Sequence, residues 1–424
     1  MQIEKIKLQI LSNYLRNFLD YLKRRFKGPL YIYILIIFFI VISFPIVLFV
    51  RLIRPFYLIR IGGLWNQHIG HYAMCTELYL CNTDLVKKKN KTIDLFYLRS
   101  GVNSNNYLTL MWKRKLIILP SLPLKAISIL NYIIPGGKIH DIGLPAFDRD
   151  INSILDKTTI HLKFTYEEVQ LGEKLIKELG VLNNAPFVCF LVRDDAYYND
   201  SYKFTNYRNA NINNYLLAAE FLTQNGYYVL RMGAKVKNAF NTNGNKMIID
   251  YAFSGKRTEF MDIYLASRCE FCVTTGSGWD NLANIFRRPI VYTNLLPIAD
   301  FPSSSERFIN IPKSLISQTD EHHLSLNEII SKDLLSTRDL QDYEKKGVKY
   351  IENTPEEIKD IVIEMHDRIN NFFIETNEDN LLQLKFWKLI IDNNPKDKSG
   401  ILMHILPKGR IGNKFLKNNP SWLN

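Results

Sequence analysis

The sequence predicts an α/β protein with two doubly wound, parallel-sheet domains behind an N-terminal membrane-anchor helix. Three observations lead there. Strand-like runs end in glycine turns and pass into helical patterns, first in one half of the 424 residues and then in the other. An uncharged, apolar run stands near the start. Positive charge gathers at the two ends of the chain.

The segment 1–27 opens the chain. Ile3, Ile6, Ile10, Leu11, Tyr14, Leu15, Phe18 and Leu22 fall near one helical face, with lysines and arginines over much of the rest. That pattern predicts an amphipathic, basic interfacial helix or a helix packed on the folded body. Residues 28–50 follow, from Gly28 to Val50, as 23 residues without a charge. The run is long enough to cross a bilayer core of roughly 30 Å. Lys23, Arg24, Arg25 and Lys27 precede it and Arg51, Arg54 and Arg60 follow it, so the charge rule leaves the orientation balanced. Pro45 interrupts its last third, and both a single crossing and a re-entrant anchor fit.

Strand, glycine turn, helix and strand then succeed one another through 54–150, the predicted N-terminal Rossmann-like domain. Residues 54–63 read as a strand, 71–88 as a helix, and 92–100 and 115–121 as strands. Weak periodicity over 137–164 marks a link. The rhythm resumes in 165–345, the predicted C-terminal Rossmann-like domain. Strands are expected at 186–194, 227–233, 247–252, 270–276 and 289–294, and helices at 165–180, 211–226, 258–268 and 279–288. Thr165 with Glu168 has capping-box spacing. The end, 354–424, reads as helices and a basic tail, opened by Thr354, Pro355 and Glu357 as a helix start.

Formal charge narrows the function classes. The net +12 divides into +8 on residues 1–60, +5 on 395–424 and −1 on everything between. A nucleic-acid enzyme carries its positive field on the folded body, so nucleic acid is an unexpected partner. Basic ends suit an anionic membrane surface. The five cysteines are odd in number and scattered, which argues against a disulfide scaffold. Cys269 and Cys272 have CxxC spacing inside an apolar strand-like run, which reads better as small buried residues than as a zinc or redox pair.

In a doubly wound sheet, function sits where the strands end. The polar residues just after the predicted C-terminal-domain strands are Arg193 and Asp194, Arg231 and Gly233, Asp250 and Tyr251, and Thr275, Gly276, Ser277 and Gly278. Two arginines, a carboxylate and a glycine–serine turn entering a helix predict an anion-binding crevice, because arginine forks and helix-start N–H groups hold a diphosphate. Asn281, one turn on, is a further contact, and Ser277 either touches phosphate or caps the helix. The chain has no dinucleotide fingerprint, no P-loop and no nucleophile elbow, and no D-x-D flanked by apolar strand residues to seat a metal; Asp194-Asp195 is the nearest approach. In the N-terminal domain, Gly62 and Gly63 would let a ligand approach the backbone. Gln67, His68, His71 and Glu77 cluster behind them. His71 or Glu77 could take a proton from an acceptor hydroxyl, or could serve the helix structurally.

Several stretches, in order, resemble a family of bacterial glycosyltransferases with a GT-B-like fold, found among surface-polysaccharide (O-antigen or capsule) biosynthesis proteins. They are "HIGHYAMCTELYLC", "VCFLVRDDAYY", "YYVLRMGAKV" and "IIDYAFSGKRTEFMDIYLASRCEFCVTTGSGWDNLANIFRRPIVYTN". The resemblance covers roughly 58–300 and is strongest in 186–297. It departs at "RIGGLWNQHIGHYA", where extra residues separate Arg60 from His71. What it implies is a nucleotide-sugar donor on the C-terminal domain, with its diphosphate against 275–278 and an arginine, and a lipid-linked or glycan acceptor on the N-terminal domain. Glu259 or Asp262 would hold ribose or sugar hydroxyls, unless they only complement a helix start. No cofactor and no metal are implied, since arginine and helix-start amides meet the leaving-group charge. Together with the anchor, this places the expected enzyme on the cytoplasmic face of a bacterial inner membrane. A polyol-phosphate (glycerol or ribitol phosphate) transferase and a non-catalytic scaffold of a polysaccharide assembly complex are the rival expectations.

Overall fold

The computed structural model describes residues 30–86, 91–144, 149–182, 184–196, 206–393, 396, 403–405 and 407–424. The predicted basic helix at 1–27 lies outside them. Along the chain run α1 (Leu30–Leu52), β1 (Leu58–Leu64), α2 (Ile69–Leu85), β2 (Thr92–Leu98), α3 (Asn106–Lys113), β3 (Ile117–Ile118), α4 (Ser121–Ile133), α5 (Tyr166–Glu178) and β4 (Phe187–Leu191). Then follow α6 (Leu216–Gln224), β5 (Tyr228–Arg231), β6 (Ile248–Ile249), α7 (Glu259–Arg268), β7 (Cys272–Thr274), α8 (Asp280–Ile285), β8 (Ile290–Leu295) and β9 (Phe308–Pro312). The chain closes with β10 (Ser314–Ser317), α9 (Leu326–Ser331), α10 (Leu340–Lys345), β11 (Val348–Ile351), α11 (Pro355–Ile369), α12 (Asn377–Asp392), β12 (Arg410–Ile411) and α13 (Asn413–Asn418).

By packing, the chain forms two units. The first comprises 1–64, 88–101 and 116–144, and the second 65–87, 102–115 and 145–424. Helices α2 and α3, although they lie within 54–150, therefore pack with the larger, mostly C-terminal unit.

In the smaller unit β1, β2 and β3 form a parallel sheet in that order. Arg60 on β1 stands beside Asp94 on β2 and holds it with two hydrogen bonds, 2.7 and 2.8 Å. Helix α4 lays Leu124, Ile127 and Leu130 on Ile61 and Tyr97, and Val47 of α1 joins the same cluster. Among the described residues, no helix is long and apolar enough to cross a membrane.

The larger unit contains a seven-stranded parallel sheet in the order β12-β9-β8-β7-β4-β5-β6. Its central strands are buried along their whole length, as in β4 and β8; β4 accordingly reads as an unbroken apolar run, while β8 buries Thr293 and Asn294 among its apolar residues. The helix starts are fixed by their caps. Thr165 with Glu168 and Thr354 with Glu357 form full capping boxes, the second with Pro355 in the first turn. Thr258 caps α7 by accepting the Met261 N–H.

The basic tail is part of this fold. Strand β12 pairs with β9 at the sheet edge. Lys414 reaches Asp360 at 2.7 Å, Lys417 reaches Asp379 at 2.6 Å, and Arg410 pairs with Glu375. The expectation that this end serves an anionic surface is corrected for these three residues, whose charge is matched within the unit. All five cysteines are free and buried, Cys269 and Cys272 among them.

Candidate functional site

Strand order reverses between β4 and β7. From β4 the chain moves outward to β5 and β6, and then returns to the other side of β4 as β7. The C-terminal ends of these two strands therefore flank the switch point of the sheet, where a doubly wound fold opens a crevice. The ends are tied together. Thr275, fully buried after β7, accepts the Arg193 N–H beyond β4 through Oγ1 at 3.1 Å, and its own N–H donates to Leu191 O at 3.2 Å. Arg193, Asp194, Thr275, Gly276, Ser277 and Gly278 are thus brought to one edge of the sheet.

The turn after β7 already holds an anion, and that anion belongs to the chain. Asp280 accepts the Ser277 N–H at 2.8 Å and lies 3.3 Å from the Thr274 hydroxyl, while that hydroxyl accepts the Gly276 N–H at 3.1 Å. Ser277 makes no side-chain cap to α8, and its N–H is committed to a carboxylate. Gly276 takes φ +77, a conformation that favours glycine. The diphosphate expected on this turn meets a competitor, and α8 is only 6 residues long.

Arg231 also departs from the expected role. It is 1 % exposed, donates to Asn238 O at 2.9 Å, and lies 3.3 Å from Asp250 and 3.8 Å from Asp194. Asp250 in turn accepts the Phe240 N–H at 2.8 Å, and Asp194 accepts the Lys237 N–H at 2.7 Å. Arg231, Asp194 and Asp250 form a clamp that fixes the loops beyond β4, β5 and β6, with the guanidinium turned inward. Gly233 is held for steric reasons, since a Cβ there would sit 2.5 Å from Val236. Tyr251 is fully buried and its hydroxyl accepts the Thr258 N–H at 3.0 Å. Glu259 accepts from the backbone and side chain of Asn106, so it ties α7 to α3 instead of facing a sugar. Asp262 is buried against Arg257 at 2.5 Å, and burial pushes its carboxyl up to about 6.

The acceptor-side residues divide between the units. Gly62 and Gly63 lie in β1 of the smaller unit, where a Cβ would collide with Ile142 and with Arg99. Their bareness serves the chain's own side chains, not a ligand. Gln67, His68 and His71 belong to the larger unit. There the start of α2 meets the glycine turn, for a Cβ on Gly70 would fall 2.8 Å from Gly278 Cα and 3.0 Å from Asn281 Nδ2. Gln67 and His68 are exposed and His71 is half-buried, with the two imidazole rings 6.1 Å apart. The structure thus seats Ile69 and Gly70, between His68 and His71 in the chain, against Gly278 and Asn281, which sequence spacing alone did not indicate. Asn281 also lines an open pocket with Met74, Arg149, Asn284, Asp300 and Ser303.

Glu77 is not with them. It is fully buried. Its Oε1 lies 2.9 Å from Arg287 and 3.1 Å from His161 Nδ1, while His161 Nε2 reaches Asp84 at 2.9 Å. The proton-acceptor role expected of Glu77 is corrected, because a paired carboxylate inside the core has no route to an acceptor. Glu77, Cys81 and His161 have donor atoms within 4.8 Å of one another, but the Arg287 guanidinium already supplies the positive charge there. The neighbouring Cys81 and Glu77 side chains hold the His161 imidazolium up to about 10, against an ordinary 6.5. A base with a raised folded pKa stabilises fully below its unfolded value and loses that contribution as pH rises to the folded one. Urea midpoints are therefore expected to fall between pH 6.5 and about 10, and His161→Gln should flatten that slope.

No family model matches the chain, and no curated protein matches it. Solved structures do. ADP-heptose LPS heptosyltransferase II from E. coli is 17% identical, over 68% of this chain and 97% of that one, with a TM-score of 0.35. A family 9 glycosyl transferase from Veillonella parvula is 12% identical, over 55% of this chain and 79% of that one, with a TM-score of 0.36. A dodecameric iron-containing glycosyltransferase from enterotoxigenic E. coli is 12% identical, over 57% and 60%, with a TM-score of 0.32. With scores this low, function has to be read from the chain's own residues.

Proposed function

We propose that the protein is a membrane-associated glycosyltransferase that moves a sugar from a nucleotide-sugar donor to a lipid-linked glycan acceptor. The observation that carries this reading is the switch point between β4 and β7, with Arg193 and the 275–278 turn on its two sides and the start of α2 against it. In this reading Arg193, whose N–H ties the end of β4 to Thr275 after β7, meets the donor diphosphate. His71 or His68 accepts the proton of the attacking hydroxyl. Transfer proceeds without a bound metal, in a chain of two Rossmann-like domains of the GT-B-like class. The uncharged 28–50 segment holds the protein at the cytoplasmic face of a bacterial inner membrane, where lipid-linked acceptors of surface-polysaccharide synthesis such as O-antigen reside.

Calorimetry of the full chain in detergent with UDP-, GDP-, CDP-, ADP- and dTDP-sugars tests this. One donor is expected to bind, and Arg193→Ala should weaken it by roughly tenfold or more through lost charge-assisted bonds. Failure of every donor would sink the enzyme reading. An unchanged affinity in the variant would remove Arg193 from the site. Radiolabelled products would separate sugar transfer from polyol-phosphate transfer.

A further inference from the structure

We propose that α1 does not cross the bilayer but lies in its plane, docked lengthwise on α4 and immersed in one leaflet. The inference rests on the membrane association proposed above and specifies its form. Ile40, Ser43, Val47 and Val50 recur at helical spacing and face the body. Ser43, Val47 and Val50 are buried, and Val47 and Ile40 pack with Leu124, Ile127 and Leu130 of α4. Arg51 locks the far end by donating to Ile134 O at 3.1 Å and Pro135 O at 2.9 Å, so the two helices end together. The docked stretch from 40 to 50 is roughly 15 Å long.

The opposite stripe is bare. Ile34, Phe38, Val41, Leu48 and Leu52 are 61, 56, 68, 49 and 75 % exposed, and no charge interrupts them. A patch of this kind needs an occupant. Its surroundings select lipid. Exposed Phe56, Tyr57 and Tyr132 stand at the Arg51 end with Arg54 and Lys138, an aromatic and cationic border suited to anionic headgroups. The segment before Gly28 supplies Lys23, Arg24, Arg25 and Lys27.

Crossing is excluded by what α4 carries. The same Leu124, Ile127 and Leu130 also pack on Ile61 of β1 and Tyr97 of β2, so a helix standing upright in the core would bring a three-stranded open sheet to membrane depth. Open sheet edges are not tolerated in hydrocarbon. Lying flat, α1 immerses its outer stripe and leaves the sheet in water.

Ser12→Cys and Lys138→Cys, introduced separately into the full chain, test this in sealed inside-out membrane vesicles. The five native cysteines are buried and give little background. Both variants are expected to react equally with a membrane-impermeant maleimide before any detergent is added. Protection of Ser12→Cys alone until lysis would overturn the in-plane arrangement while leaving membrane association standing. In flotation with phosphatidylglycerol-containing liposomes, Phe38→Asp with Val41→Asp should lose most of the binding while keeping the wild-type urea midpoint. Wild-type protein that fails to float would overturn membrane association itself, and unimpaired flotation of the double variant would overturn immersion of this stripe.

Discussion

Replacing Arg231 with alanine is expected to cost about 3–5 kcal/mol of stability, because it leaves Asp250 and Asp194 without their buried counter-charge. The loss should appear as a large fall in the urea midpoint. Donor affinity, measured where the variant is still folded, should change little. The reason is geometric. The guanidinium is 1 % exposed and already shared among Asn238 O, Asp250 and Asp194. A variant of wild-type stability with weakened donor binding would reverse the assignment and return Arg231 to the crevice. Arg231→Lys should recover only part of the stability, since one ammonium cannot reproduce the fork.

Arg287→Ala is expected to be comparably severe. Arg287 adopts φ +59 and donates to Leu155 O at 2.9 Å and Thr159 O at 3.2 Å while pairing with Glu77 at 2.9 Å. It therefore joins α2, the 155–161 segment and the turn after α8. Its removal leaves a buried carboxylate with His161 as the remaining cation, so a loss of about 3 kcal/mol is expected. His161 should then carry more of the pairing, and the alkaline loss of stability should steepen. A double-mutant cycle with Glu77→Gln would report the coupling. A coupling near zero would show that Arg287 acts through its carbonyl contacts alone.

The two predictions concern residues that the sequence treats differently. Arg231 was legible as a strand-end arginine, but its direction was not, because strand position says nothing about which acidic loops fold over it. Arg287 was illegible, since Glu77 and His161 stand far from it in sequence and no local pattern joins them. The regular α/β rhythm from 165 to 295 was readable because its strands are buried on both faces and its helices carry caps. Helices α3 and α4 were not, as their asparagine- and proline-rich starts resemble loops. β12, a two-residue strand in a basic tail, leaves no periodic signal at all. Asp280 was within reach, because it stands three residues after Ser277, the spacing by which an acid side chain reaches back to a backbone N–H. The glycines beside it read equally well as a cradle for an outside ligand, and sequence alone does not separate the two.

Asp280 changes what arrival of a phosphate at this turn would mean. The Ser277 N–H and the Thr274 hydroxyl are not waiting for a guest. A phosphate that took them would have to evict the carboxylate, and the eviction would loosen the first turn of α8 just where Gly278 rests on Gly70. Occupancy and the seating of α2 would then be mechanically linked, and the resident carboxylate would act as a latch that an incoming anion must lift.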